Sequence, residues 1–261
     1  MHTIDSNTDS ETIEKAVTLL RNSQNTVALT GAGISVGSGI PDFRSDGGLW
    51  TEFPPDEYAT IEAFHVNPEK AWQLFRALGH TIVGKQPNPA HQALAELEQH
   101  GLLTHIVTQN VDNLHQVAGS NNVLEIHGDH LHLQCLVCET TEPFLEQYLE
   151  QGDTPRCEKC RTPLKPNVVL FGEPVRHLGA IEKCLHDCTV LLVIGTSAQV
   201  YPAAGLPEAV KRNGGLIFEF NHYPALGRSA FSGVPIITDF FFSGDVVETL
   251  PNLVIKLLSN S

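Results

Sequence analysis

Short apolar runs that alternate with amphipathic stretches are the feature that most restricts the fold of this 261-residue chain. The runs are rich in β-branched residues and occur at Thr26–Thr30, His105–Thr108, Val123–Ile126, Val190–Ile194, Leu216–Phe220 and Pro235–Thr238. Helical patterns lie between them, at Glu11–Asn22, Ala90–His100, Gly179–Asp187 and Pro202–Asn213. Near-continuous apolar strands separated by helices indicate a parallel sheet covered on both faces. We therefore predict an α/β fold with a Rossmann-like sheet.

Two stretches interrupt this alternation, and each predicts an insert in the sheet domain. Residues 46–89 are rich in Pro, Gly and aromatic residues, and they indicate a helical insert with one helix at Pro68–Leu78. Residues 127–166 hold four of the six cysteines and indicate a small separate module. The sheet domain then comprises residues 1–45, 90–126 and 167–261. A cleft between the sheet domain and the inserts is the expected ligand site.

The four clustered cysteines have the spacing of a structural zinc site. They form two C-x-x-C pairs separated by 18 residues, Cys135 with Cys138 and Cys157 with Cys160. Two such knuckles can bring four thiolates to one zinc ion in a closed tetrahedral shell, which leaves no position for a catalytic water. The alternative is four unrelated thiols. We predict one structural zinc ion held in a zinc-ribbon module.

The charge balance and the apolar runs exclude several partners. The chain has 16 Lys and Arg residues against 30 Asp and Glu residues, a net charge of −14 at pH 7. A nucleic-acid-binding surface needs clustered basic residues, so no direct contact with nucleic acid is expected. The apolar runs are far shorter than the ~20 residues that span a bilayer, and residues 1–14 are polar and acidic. We expect a cytoplasmic monomer that does not bind membranes.

Glycines directly follow the first apolar run. The turn contains Gly31, Ala32, Gly33 and Ser35. Backbone N–H groups in such a turn can approach a pyrophosphate, but the spacing fits neither G-x-G-x-x-G nor a Walker loop. The alternative is a Gly-rich turn at the sheet edge. The segment GIPDFRS that follows, at residues 39–45, adds a carboxylate, an aromatic ring and a guanidinium at Asp42, Phe43 and Arg44.

Further motifs follow this turn in a fixed order. They are QNVD at 109–112, His127-Gly128, the two C-x-x-C pairs, PNVVLFGE at 166–173, GTS at 195–197 and Asn221. Together with GAGIS and GIPDFRS they resemble the sirtuins, a family of NAD-dependent protein deacylases, over about residues 12–258. The resemblance implies that NAD is consumed as a co-substrate, with zinc as the structural metal. It also implies that acylated lysine in a protein or peptide is converted to free lysine, nicotinamide and O-acyl-ADP-ribose.

The resemblance also implies roles for single residues. His127 would be the general base, because a neutral imidazole can accept a proton from an alcohol near pH 7. Asn110 would orient the ribose and a bound water, and Asp112 would hydrogen-bond the nicotinamide carboxamide; these three residues are the predicted catalytic set. The predicted NAD contacts are Gly31, Ala32, Gly33, Ser35, Asp42, Phe43, Arg44, Gln109, Asn110, Asp112, Gly195, Thr196, Ser197, Asn221, Gly244 and Asp245.

The substrate contacts follow from the same resemblance. Backbone pairing and the lysine tunnel are predicted at Phe43, Val168, Val169, Phe171 and Gly172. The sirtuin branch that removes succinyl and malonyl groups carries Tyr and Arg three apart on a helix, and the corresponding positions here are Phe75 and Leu78. An unpaired carboxylate in an apolar pocket is costly. We therefore predict a preference for acetyl or longer apolar acyl groups over succinyl.

Two other functions remain open from the sequence. A mono-ADP-ribosyltransferase would release nicotinamide without needing an acyl-lysine. A non-catalytic zinc-ribbon binding module would release no nicotinamide. The presence of His127, Asn110 and Asp112 together argues against an enzyme that has lost its activity.

Overall fold

The computed structural model describes residues 1–5, 8, 10–44, 47–150, 152–226 and 237–259. The β-strands are β1 (His2–Ile4), β2 (Thr26–Thr30), β3 (His105–Thr108), β4 (Val123–Glu125), β5 (Gly128–Gln134), β6 (Thr141–Pro143), β7 (Lys165–Val168), β8 (Val190–Ile194), β9 (Leu216–Asn221) and β10 (Phe240–Ser243). The α-helices are α1 (Ser10–Arg21), α2 (Leu49–Glu52), α3 (Pro55–Tyr58), α4 (Ile61–Val66), α5 (Pro68–Ile82), α6 (Pro89–Gln99), α7 (Leu114–Val117), α8 (Leu178–His186), α9 (Leu206–Arg212) and α10 (Val246–Ser259). Short 3₁₀ helices occupy Ala32–Ser38, Glu146–Leu149 and Ala203–Gly205.

The larger sheet is parallel throughout and has the order β1-β10-β9-β8-β2-β3-β4. From β4 to β10 this is the Rossmann order 3-2-1-4-5-6, with β1 added at one edge. The chain runs outward from β2 in one direction and from β8 in the other. The carboxyl ends of these two central strands therefore border the crevice where such folds bind ligands.

Helices cover both faces of this sheet, so the predicted α/β class is confirmed. All five residues of β2 and all five of β8 are buried, because each strand contacts a layer of helices on either side. Helices α1, α6 and α10 pack on one face through residues such as Leu20, Leu94 and Leu253. Helices α8 and α9 pack on the other face through Ile181 and Val210. Across the described ranges, every helix is too short or too polar to cross a bilayer.

The strand predicted at Pro235–Thr238 is wrong for Ile237 and Thr238, the part that the structure describes. Ile237 and Thr238 lie outside regular structure, and Pro235 and Ile236 lie outside the described residues. The strand is β10, whose three phenylalanines at 240–242 are each at most 3% exposed. Aromatic residues favour strands as strongly as β-branched ones. Thr238 is held instead by its side chain, which donates to the buried Glu219 carboxylate at 2.6 Å.

The two predicted inserts share one core. The second sheet is antiparallel with the order β6-β5-β7, and it contains the four clustered cysteines in its loops. Trp72 and Phe75 of α5 pack in one cluster with Leu133 and Leu164 of this module. The Trp72 indole N–H donates to the Leu164 carbonyl at 2.8 Å. Strand β7 spans the predicted boundary between 166 and 167, and the boundary at 45 and 46 lies outside the described residues, so the domain limits stay predictions.

Candidate active site

A cavity of about 930 Å³ opens at the carboxyl ends of β2, β3, β8 and β9, between the large sheet and the shared insert core. It brings together most of the predicted site residues. These are Gly31, Ala32, Gly33, Asp42, Phe43, Arg44, Phe75, Leu78, Gln109, Asn110, His127, Val168, Val169, Phe171, Gly172, Gly195, Thr196, Ser197, Asn221 and Asp245. Three other predicted residues, Ser35, Asp112 and Gly244, are not part of its lining.

Two glycine turns contact each other at the end of β2 and β8. The Gly33 N–H donates to the Gly195 carbonyl at 2.8 Å, and a Cβ on Gly33 would lie only 2.8 Å from the Gly195 Cα. Side chains at these positions would push the two turns apart. Arg44 lines the same cavity, and its backbone N–H donates to the Asp42 carboxylate at 2.9 Å. The Arg44 guanidinium beside these close-packed turns suits an anionic ligand such as a pyrophosphate.

His127 has the hydrogen bonding of a neutral base. Its Nδ1 lies 3.0 Å from the Gln109 carbonyl oxygen, which can only accept, so Nδ1 carries the proton and Nε2 can accept one. Burial lowers the pKa of His127 below its ordinary value, and the hydrogen bond to Gln109 opposes that shift only in part. The imidazole is therefore neutral at pH 7.

A chain of hydrogen bonds fixes Asn110 from behind the cavity. The Asn110 amide donates to Ser35 Oγ at 3.1 Å, and Ser35 Oγ donates to Asp112 Oδ2 at 2.6 Å. The other oxygen of Asp112 accepts the Leu114 N–H at 3.0 Å. Asp112 is only 8% exposed. This carboxylate therefore orients Asn110 through Ser35.

Two buried histidines that the sequence did not single out lie beneath this chain. His91 Nε2 is 3.5 Å from Ser35 Oγ, and the rings of His91 and His115 are 4.9 Å apart. Burial lowers the pKa of His91 to about 4 and that of His115 to about 3, so both are neutral at pH 7. The chain has 13 histidines, and no spacing separates these two from the rest.

The insert side of the cavity is apolar. Phe75 and Leu78 of α5 are 1% and 5% exposed and line the cavity. The neighbouring Arg76 lies on another helix face, where it donates to the carbonyls of Tyr148 and Gly152. This guanidinium is therefore engaged outside the cavity lining.

An aromatic wall continues the apolar side. The Phe43 and Trp50 ring centroids are 4.9 Å apart, and Trp50 is 6.4 Å from Phe171. Trp50 was not among the predicted site residues. The sequence feature that could have pointed to Trp50 is its position shortly after Phe43 in the chain.

The cysteine cluster fits one zinc ion. The four thiol sulfurs lie within 4.8 Å of one another, at Cys135, Cys138, Cys157 and Cys160. A Zn–S bond of about 2.3 Å implies sulfurs roughly 3.8 Å apart in a tetrahedron. The two knuckles also match in detail, because the Thr140 hydroxyl lies 3.1 Å from Cys138 Sγ and the Thr162 hydroxyl 3.2 Å from Cys160 Sγ. The predicted zinc site is confirmed as a four-thiol cluster able to hold one ion.

Strand β7 contacts the backbone at His127 directly. Gly128 has φ +77°, and a Cβ there would lie 1.9 Å from the Asn167 carbonyl oxygen. The Val169 N–H donates to the His127 carbonyl at 2.8 Å. The wall formed by Val168 and Val169 is thus joined to the backbone of the candidate base.

Comparison with known proteins identifies the family. A family model described as the Sir2 family matches residues 31–202. The chain belongs to the Sir2 family. An NAD-dependent protein deacylase of Thermococcus sibiricus is 40% identical over 252 residues, which cover 94% of this chain and 96% of that protein.

Solved Sir2 structures have the same fold. A Sir2 homolog–NAD complex aligns with a TM-score of 0.87 and 37% identity, over 100% of this chain and 97% of that one. A Sir2 complex with a deacetylated p53 peptide and 3′-O-acetyl ADP ribose aligns with a TM-score of 0.82 and 34% identity, over 94% and 97%. The predicted family and fold are therefore confirmed, while the roles of individual residues in this Sir2 family member stay predictions.

Proposed function

We propose that this chain is an NAD-dependent protein-lysine deacylase that forms nicotinamide, free lysine and O-acyl-ADP-ribose. The observation that supports this proposal most directly is the content of one cavity. His127, whose Nε2 can accept a proton, lines it together with the paired glycine turns and the wall at Val168 and Val169. A base, an anion-binding wall and a strand wall are the three elements that this reaction requires. Deacylase relatives of about 40% identity support the same activity.

Each wall has a part in the proposed reaction. The glycine turns and Arg44 would bind the NAD pyrophosphate, and Asn110 would orient the ribose. Attack by the acyl oxygen forms a C–O bond at the ribose carbon and breaks its bond to nicotinamide. His127 Nε2 then accepts the proton of a ribose hydroxyl, whose oxygen attacks the acyl carbon. Water adds to that carbon and its C–N bond to lysine breaks, which releases free lysine and leaves the acyl group on the ribose oxygen. Phe43 and Trp50 would shield the reacting carbon from nicotinamide and water.

Zinc would be held by the four cysteines and would stabilise the small sheet. A shell of four thiolates has no open position for water, so the metal takes no part in the chemistry. His127 and Asn110 line the cavity, and the lining includes none of the four cysteines.

We further propose that the acyl pocket accepts acetyl and longer apolar groups in preference to succinyl. Phe75 and Leu78 line the pocket with hydrocarbon, and Arg76 is engaged on another face of α5. A succinyl carboxylate would lose its water there without gaining a cationic partner. The peptide around the lysine would pair with the backbone of the β7 wall, which gives affinity with little sequence selectivity.

Mass spectrometry of NAD with acetyl-, decanoyl- and succinyl-lysine peptides tests these proposals. We expect O-acyl-ADP-ribose and deacylated peptide in equal amounts for the first two and much less product for succinyl. The His127→Tyr variant should keep its zinc but lose nearly all turnover.

Other outcomes would identify the alternatives. Nicotinamide release that needs no acyl-lysine would indicate a mono-ADP-ribosyltransferase. Absence of nicotinamide release from a folded, zinc-loaded protein would indicate a binding module. The cytoplasmic location and monomeric state also remain predictions, and light scattering tests the second.

A further inference from the structure

Lys165, at the start of β7, is a fully buried lysine with partners for all three of its donors. Its side chain is 0% exposed. The Nζ lies 2.5 Å from the Val168 carbonyl, 3.3 Å from the Pro166 carbonyl and 3.0 Å from Glu173 Oε2. Every contact is thus to the segment that follows Lys165 in the chain.

Glu173 closes this arrangement from the other end of the segment. Its side chain is 15% exposed, and Oε2 also accepts the Leu170 N–H at 2.8 Å. The Glu173 N–H donates to the Leu170 carbonyl at 3.0 Å. One buried ion pair therefore holds the backbone at 166, 168 and 170.

The segment held in this way is the wall on which a substrate peptide would pair. Strand β7 is the terminal strand of the small sheet, and an edge strand offers its backbone to an added strand. Val169, between the held positions, donates its N–H to the His127 carbonyl. The position of this strand is therefore coupled to the position of the base.

We propose that Lys165, paired with Glu173, is a positioning residue that holds residues 166–173 in the conformation that binds the acyl-lysine peptide. The inference rests on the proposed deacylase function. A buried ion pair is weak evidence for stability, because apolar residues of similar size often serve a core as well. What an apolar residue cannot supply is a donor for the Pro166 and Val168 carbonyls, which would each lose the hydrogen bond from Nζ.

Steady-state kinetics with matched variants test this role. The Lys165→Met variant leaves Glu173 as an unpaired buried carboxylate and is at risk of unfolding, so the main variant is Lys165→Met/Glu173→Gln, which removes both charges. The control is Lys70→Met, because Lys70 forms a 2.6 Å pair with Glu57 on the exposed surface. We expect the double variant to keep its zinc and its KM for NAD within twofold, while the KM for the peptide rises at least tenfold. The control should leave both constants unchanged.

Hydrogen exchange supplies a measurement that needs no turnover. The amides of Val169 and Leu170 should exchange at least tenfold faster in the double variant than in the wild type, and equally fast in Lys70→Met. A double variant with unchanged peptide KM and unchanged exchange at these amides would overturn the inference. If the wild type formed no O-acyl-ADP-ribose, the proposed function would fail, and the exchange comparison alone would decide whether Lys165 holds the strand.

Discussion

Replacing Gly128 with alanine should lower catalytic efficiency sharply, beyond what its backbone strain alone would cause. The new Cβ would lie 1.9 Å from the Asn167 carbonyl oxygen, and Cβ contacts under 3.0 Å are essentially not observed. The strand must therefore move by about 1 Å or more relative to the backbone beside His127. A misplacement of about 1 Å at reacting groups can lower a rate by roughly 10²-fold. We expect kcat/KM for an acetyl-lysine peptide to fall by about that factor.

The matched control separates this displacement from backbone strain. Gly101 has φ +70°, and a Cβ there would meet no atom within 4 Å. Gly101→Ala should therefore show only the strain of a left-handed alanine, about 1–2 kcal/mol of unfolding free energy, with unchanged kcat/KM. The assay is peptide turnover at saturating NAD, with thermal unfolding and zinc content measured on both variants. Gly128→Ala turnover within threefold of the wild type would refute the reasoning.

Three further predictions concern the base, the metal and the acyl pocket. The acid limb of the kcat/KM profile should lie below pH 6.5, because burial lowers the pKa of His127 and the neutral form is needed; a limb above 6.5 would contradict this assignment. A chelator should release about one zinc per chain and red-shift the fluorescence of Trp72, whose ring packs in the core of the zinc module; metal release without a spectral change would argue against that shared core. Leu78→Arg should raise the succinyl-to-acetyl turnover ratio at least tenfold, because the arginine gives the succinyl carboxylate a cationic partner. The control variant, with arginine at the exposed Val83, should leave the ratio unchanged.

Local patterns in the sequence predict the central strands and the metal ligands well. Strands β2 and β8 are continuous apolar runs because both of their faces are covered, and the C-x-x-C pairs carry their geometry in their spacing. β-Branched composition points to the Ile-Ile pair at 236–237, whereas the strand forms at Phe240–Ser243. Its true position depends on pairing with β9 and β1, which lies outside any local window.

The hydrogen bonds that hold the site residues in place are harder to predict, because they join distant parts of the chain. Ser35 meets Asp112 across 77 positions and His91 across 56. No local periodicity encodes such contacts. Lys165 is a second case, because a lysine is almost never fully buried unless it is paired. Its partner Glu173 ends the PNVVLFGE motif, but nothing in the sequence assigned Glu173 a function.

The pairing of β2 with β8 has a consequence for the order in which the molecule can assemble. Thr26 pairs with Val190, and both inserts lie between them in the sequence. During synthesis, one edge of β2 stays open until more than 160 further residues have been made. The wall formed by Gly33 and Gly195 is completed only then, so a nascent chain lacks its nucleotide pocket until late. Such distant parallel pairing is slow to form, and until it does the nascent chain exposes an apolar strand edge that is prone to aggregate.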